Sequence, residues 1–498
     1  MFRMPSRMKV HGLGWMIIIA LVVIIGFILR DLSFIRYGFL YSFDSIGHFG
    51  FSKVIIDTGK LWPPSIDTMP FIGYAPWAGF HLLEAIISMI TGIKLEDLFL
   101  NLVALLSIVT ILPIYLAFRR KLESPYQKIA LVALSSFWFY FIFGSFGGTY
   151  KPLAFFFFAL VIYLVESGIE RKKSGKLLIL VFLTVLSLTH HLTLFATLLY
   201  LIIVYLVKGE RSMLVYITYI PLSTFIIGHI FDTMNIWYCG LYDFKYKLLI
   251  IPILTLILKF IWDRANLETF IKNLLSKIEN SRIEGVGIFA FFIFAVFVMK
   301  FSNFLSPIHY VFTSHLIYKY LLFLLPLIFI FIFQTLSKTS RFYEELIYVS
   351  GITLCFLGAS IYLSYYHIVN RSLYYVSPFI IAIIASFSLD KKKLAVIFLI
   401  SILSVFPAIP SYFYSDSADR PYYQISRDYL TLTEDFSNNT ESQDVVLNSL
   451  LKVYKKHGNV YFSKIENSKL SLFQEENLIY QRDTHFQPFN ASPTVGGV

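Results

Sequence analysis

YGFLYSFDSIGHFGFSKVIIDTGKLWPPSIDTMPFIGYAPWAGFHLLEAIISMITGI, residues 37–93, decides how the chain is read. It lies between two strongly apolar regions and gathers Asp44, His48, Lys53, Asp57, Lys60, Asp67, His81 and Glu84. Its second part, residues 75–93, is nearly long enough to cross a bilayer. Whether it does so sets the side of the membrane on which every later loop falls.

The surrounding 498-residue chain is 57% hydrophobic and 15% charged, with a mean hydropathy of +0.68, which excludes a soluble globular class and implies a polytopic membrane protein. The 18% aromatic content fits lipid-facing surfaces and interfacial belts. A net charge of +11 would suggest nucleic acid in a soluble protein. Here Lys and Arg stand in short runs beside apolar segments, so they read as topology signals and contacts to membrane lipid, with no nucleic-acid partner. Of the two cysteines, Cys239 and Cys355, the second sits inside an apolar run, and no disulfide framework or cysteine metal site is implied. The first apolar stretch, residues 13–29, is long for a signal-peptide core and lacks a small-residue cleavage site, so it is expected to stay as the first span.

Apolar runs occur at 13–30, 76–93, 97–118, 127–146, 150–166, 176–189, 191–207, 213–231, 246–262, 285–304, 315–336, 346–366, 372–389 and 394–409. Basic clusters stand at Arg119/Arg120/Lys121, Arg171/Lys172/Lys173/Lys176, Lys208/Arg211, 263–284, Lys338/Arg341 and Lys391/Lys392/Lys393, besides the N-terminal Arg3/Arg7/Lys9. If all fourteen runs span, every cluster after the first falls outside, against the positive-inside rule. If 75–93 is instead an interfacial or re-entrant helix, each cluster is cytoplasmic. His81 and Glu84 interrupt that run, and Pro63, Pro64, Pro70 and Pro76 precede it, as suits a helix lying along a surface.

The expected fold is therefore an all-α polytopic membrane protein of about 13 transmembrane helices, in a cell membrane, with the N-terminus cytoplasmic and the C-terminus extracytoplasmic. Residues 1–409 form the membrane domain, with juxtamembrane helices in the first extracytoplasmic loop, 31–94. Residues 410–498 are polar, carry sequons at Asn438 and Asn490, and include short amphipathic stretches, VYFSKI and NLIYQR, that suit strands. They are expected to form a small extracytoplasmic appendage with a disordered end.

This topology puts Asp44, Lys151, His190, His191 and Arg371 on one side. A carboxylate at a membrane boundary can act as general base, and Asp is equally a favoured helix N-cap. His48 follows Asp44 by about one helical turn, so both can face one site, although a lone His on an amphipathic helix is more often structural. The histidine pair suits either a phosphate or a tight turn, Arg371 a phosphate or an interfacial anchor, and Lys151 a phosphate or a span boundary.

FDSIGHFGFSKVIIDTGKLWP, then YAPWAGFHLLEAIISMITGI and a long span ending in RRK, resembles the first extracytoplasmic loop of C-type (GT-C) integral-membrane glycosyltransferases. NRSLYYVSPFIIAIIAS, residues 370–386, is similar to an Arg-to-Pro-Phe segment near the last spans of many members, and the layout resembles mannosyltransferases and aminoarabinose transferases. The resemblance implies transfer of a sugar from a polyprenyl-phosphate-linked donor to a lipid, glycan or protein acceptor on the extracytoplasmic face. Asp44 takes the base position. His48, His81, Lys151, His190, His191 and Arg371 are the expected donor-phosphate and substrate residues, with His81 at the family's His-like position. Ser45 stands where protein mannosyltransferases carry a second acid, and the Trp-Trp-Asp triplet of oligosaccharyltransferase catalytic subunits does not occur in the chain. Asp44 with Asp232 or Asp243 is not a diagnostic cation set, so no cofactor and no metal are expected. The competing readings are a transporter or flippase for a lipid-linked sugar, and a non-catalytic partner subunit of the same fold.

Overall fold

A computed structural model describes residues 17–31, 43–61, 77–138, 141–142, 151–233, 248–270, 273, 342–362, 367–386, 388 and 390–405. The apolar runs at 285–304 and 315–336, and the tail 410–498 with its candidate strands, lie outside these residues.

Every regular element among the described residues is helical. In chain order they are α1 (17–31), α2 (Phe43–Thr58), α3 (Gly79–Thr91), α4 (Leu95–Val109), α5 (Ile111–Phe118), α6 (Pro125–Phe137), α7 (Lys151–Glu166), α8 (Lys173–Thr189), α9 (His191–Lys208), α10 (Ser212–Thr233), α11 (Ile251–Arg264), α12 (Tyr343–Tyr362), α13 (His367–Ala385) and α14 (Lys391–Val405). Among the described residues two stretches are long and apolar enough to cross a membrane: Asp97–Phe118, which joins α4 to α5, and His191–Lys208.

An apolar run packs by close approach and ring contact, since hydrocarbon surroundings remove most of the hydrophobic drive between helices. Both devices are present. A Cβ at Gly26 of α1 would stand 3.0 Å from Ser136 of α6 and 3.1 Å from Ile108 of α4, so glycine sets how near α1 comes. The centre is aromatic: Tyr200 of α9, Tyr348 of α12 and Phe379 of α13 meet with centroids 5.2–5.6 Å apart, and Phe155 of α7 lies 4.4 Å from Tyr374 of α13. Arg30, 2% exposed, donates to Ser107 Oγ at 2.9 Å and to the Ser136 and Ser135 carbonyls at 2.6 and 3.1 Å. Those carbonyls end α6 and need donors, so the arginine satisfies them while fastening α1 to α4 and α6.

The helix ends fall into two sets. Lys121 after α5, Glu166 ending α7, Lys208 ending α9, and Glu344 and Glu345 opening α12 pair with one another. The opening residues of α7 and α9, with Arg371 on the second turn of α13 and His48 of α2, stand together at the other end. Helices α7 and α9 thus run the same way with α8 returning between them, as alternating passage requires.

The run 75–93 forms α3, 13 residues with Gly92 in the left-handed conformation (φ 69°) stopping it. It packs against α2 and α4, with Phe80 in an aromatic contact to Phe99. His81 and Glu84, which the sequence suggests face an interface, are instead fully buried and point into the α2 contact.

Candidate functional site

The site grows from the facing surfaces of α2 and α3. His48 and Ser52 stand one turn apart on α2, and His81 and Glu84 one turn apart on α3, so each helix presents two polar groups on one face. His48 Nδ1 lies 2.9 Å from His81 Nε2, with the rings 21° from parallel. One nitrogen must donate and the other accept, which needs at least one neutral ring. Burial pushes His81 down to about 3. Burial first, then the repulsion that a protonated His81 would exert and the charge of Lys151, hold His48 well below the usual imidazole range.

Ser52 Oγ lies 2.6 Å from Glu84 Oε2 and 3.2 Å from the His48 carbonyl. A hydroxyl has one proton. If Glu84 is ionised, Ser52 can donate to only one of these acceptors. A protonated Glu84 donates to Ser52 Oγ and leaves the hydroxyl proton for the carbonyl, so both contacts are made. Burial, which holds Glu84 well above the usual carboxylate range despite the bond to Ser52, favours that form.

At the junction of α8 and α9 the two histidines take different parts. His190 is the N-cap of α9: its Nδ1 accepts the Thr193 N–H at 3.3 Å and lies 2.6 Å from Thr193 Oγ1, with Tyr375 of α13 bonding the same hydroxyl at 3.2 Å. An accepting Nδ1 puts the ring proton of the neutral form on Nε2, a donor of the kind a phosphate oxygen takes. His191 meets the indole of Trp77 with centroids 5.1 Å apart. Gly79 permits this, because a Cβ there would come within 2.8 Å of Thr189 Oγ1 and 3.0 Å of the Leu188 carbonyl, pushing α3 off the end of α8.

Lys151 opens α7 within electrostatic reach of both His48 and His190, and Arg371 of α13 within reach of His190 and His191. The structure therefore brings His48, His81, Lys151, His190, His191 and Arg371 together from five helices. Asp44 lies in the first turn of α2, one turn before His48; its side chain, like those of Asp232 and Asp243, is outside the described set. Among the described residues no three His, Cys, Asp or Glu side chains group as a metal site. The sequence reading missed Ser52, Trp77, Glu84, Thr193 and Tyr375 as site members. The pairs His48/Ser52 and His81/Glu84, at spacings four and three, were the available signal for two of them.

No protein-family model matches the chain, and no curated sequence does. Among solved structures it is similar to the Archaeoglobus fulgidus oligosaccharyltransferase. The apo form is 13% identical, with a TM-score of 0.50, over 90% of this chain and 60% of that one. The complex with Zn and sulfate is 14% identical, with a TM-score of 0.47, over 89% and 57%. The chain thus spans about three-fifths of the length of those structures, and what the apo form shares with it is the fold.

Proposed function

We propose that this protein is a membrane glycosyltransferase of C type, of about 13 spans, that moves a sugar from a polyprenyl-phosphate-linked donor to a lipid, glycan or protein acceptor on the extracytoplasmic face. The observation that carries the reading is the gathering of Lys151, His190, His191 and Arg371, from positions up to 220 residues apart, beside the helix whose first turn holds Asp44. The fold likeness to an oligosaccharyltransferase supports it, as does the resemblance of the first loop to C-type transferases.

In the proposed reaction Asp44 takes the proton of the acceptor hydroxyl as its oxygen bonds to the anomeric carbon. The bond from that carbon to the phosphate oxygen breaks, and polyprenyl phosphate leaves with the electron pair. The charge that develops on it is met by Lys151 and Arg371 and by the His190 Nε2–H, donors held in place before the reaction. Neutral His48 and His81 hold α2, which carries Asp44, to α3. The side chains named carry the charge without a metal or cofactor.

The test is Asp44→Asn in the purified full-length protein, assayed with synthetic polyprenyl-phosphate sugars. Transfer should fall roughly 10²- to 10⁴-fold, the contribution of a general base, while donor binding persists. Unchanged transfer would refute the assignment.

A further inference from the structure

The run Arg119-Arg120-Lys121 is one topology signal in the sequence, yet the structure divides it. Lys121 turns inward to Glu345, Glu166 and Glu344 at 2.5, 3.1 and 3.4 Å. Arg119 and Arg120 are exposed and, with Lys128 of α6, line a cleft of about 540 Å³ whose other walls are Tyr115, Leu122 and Glu123. None of the three cations makes an ion pair with a carboxylate among the described residues, and three positive groups face one negative one. A signal of sidedness alone does not require the cations to converge on a cavity.

The cleft owes its shape to the start of α6. Ser124 and Gln127 form a capping box: Ser124 Oγ accepts the Tyr126 N–H at 3.2 Å, and Gln127 Oε1 accepts the Ser124 and Glu123 N–H groups at 2.9 and 2.8 Å. The turn is thereby fixed, and its backbone donors are already used. An anion in the cleft must be held by side chains, and two guanidinium forks with an ammonium are the donor set that a phosphodiester takes. Above the cleft, Leu105, Val109 and Leu112 recur at helical spacing on α4 and α5 and are 49%, 39% and 57% exposed. This apolar stripe leads along a candidate span to Arg119.

We propose that the cleft between the end of α5 and the start of α6 binds the head group of an anionic phospholipid, its acyl chains lying on the stripe of Leu105, Val109 and Leu112. The site is separate from the cluster of Lys151, His190 and Arg371, which stands at the opposite end of the bundle on other helices, and Asp44→Asn should leave it intact.

The test is native mass spectrometry of the purified full-length protein with phosphatidylglycerol and phosphatidylcholine in competition. The wild type should retain phosphatidylglycerol in preference. Arg119→Gln and Arg120→Gln should each lower that preference about fivefold, and adding Lys128→Gln to both should abolish it. The lysine variants R119K and R120K should keep most of it, and Lys172→Gln with Lys173→Gln, exposed at the same end but outside the cleft, should change nothing. An equal fall in that control pair overturns the site in favour of diffuse charge. Equal retention of phosphatidylcholine overturns it in favour of the apolar stripe alone, and full displacement by millimolar inorganic phosphate in favour of a free-anion site.

Discussion

At one end of the bundle three glutamates meet two lysines; at the other, four histidines meet a lysine and an arginine. At the first end Lys121 and Lys208 share Glu166 and Glu344 at 3.1–3.4 Å, and Tyr200 donates to Glu166 at 3.0 Å. Burial works against the Lys121 charge, but the carboxylates of Glu345, Glu166 and Glu344 outweigh it and hold the lysine above its ordinary range. At the second end the contacts run between neutral rings, hydroxyls and an indole, with the cations beside them. Opposite charges that satisfy each other make a fastening.

The contrast breaks in a measurable way if variants at the two ends fail to separate stability from activity. The largest separation belongs to the base itself: Asp44→Asn is expected to lower transfer roughly 10²- to 10⁴-fold and leave the thermal transition unmoved. The reverse is expected for Lys121→Ala, which leaves Glu345 and Glu166 buried short of a partner and should cost roughly 3 kcal/mol, the lower end for breaking a buried pair because Lys208 still serves Glu166. A melting curve reads it, and a stable Lys121→Ala would mean the fastening is ornamental. Next comes Arg371→Ala, expected to raise the donor requirement or slow transfer by roughly one to two orders of magnitude, the worth of a charged hydrogen bond, while acceptor use is unaltered. Donor titrations at fixed acceptor decide it.

A smaller effect is expected from acid. An unfolded chain takes up protons at His48 and His81 as pH falls below 6.5, whereas the folded chain does not do so at His81 until about 3. The unfolded state then binds more protons, so the stability these rings contribute is full above pH 6.5 and is lost as pH falls. Glu84, raised in the fold, works the opposite way above its ordinary 4.5, but it is one group against two. Hydrogen exchange between pH 8 and 5 should show α2 and α3 losing protection while the Lys121 end keeps its own. The smallest effect is none: chelation by EDTA is expected to leave transfer unchanged, and lost activity restored by a divalent ion would move the charge stabilisation from side chains to a metal.

Much of the layout was legible because membrane helices declare themselves by length and composition. The apolar runs at 97–118, 150–166, 176–189 and 191–207 correspond to α4 with α5, α7, α8 and α9 within a few residues. That Lys151, His190, His191 and Arg371 share an end was legible as well, because alternating passage puts span ends on sides that can be counted. What could not be counted was contact. His190 is both a cap and a candidate donor, two roles that the letters HH do not distinguish. Ser52, Glu84 and Trp77 looked like ordinary members of amphipathic helices until α3 was seen packed on α2.

By itself the sequence determined that this is a helical, strongly apolar chain of the kind that associates with a membrane, since hydropathy and the placement of basic residues are local quantities that survive without coordinates. Only the tertiary structure decided that Lys121 joins a carboxylate cluster while Arg119 and Arg120, its neighbours, line an open cleft. Only it decided, too, that His81 and Glu84 face inward to His48 and Ser52. The physical reason is the same in both cases: the direction a polar side chain takes depends on which helix lies across from it, and that is a property of packing.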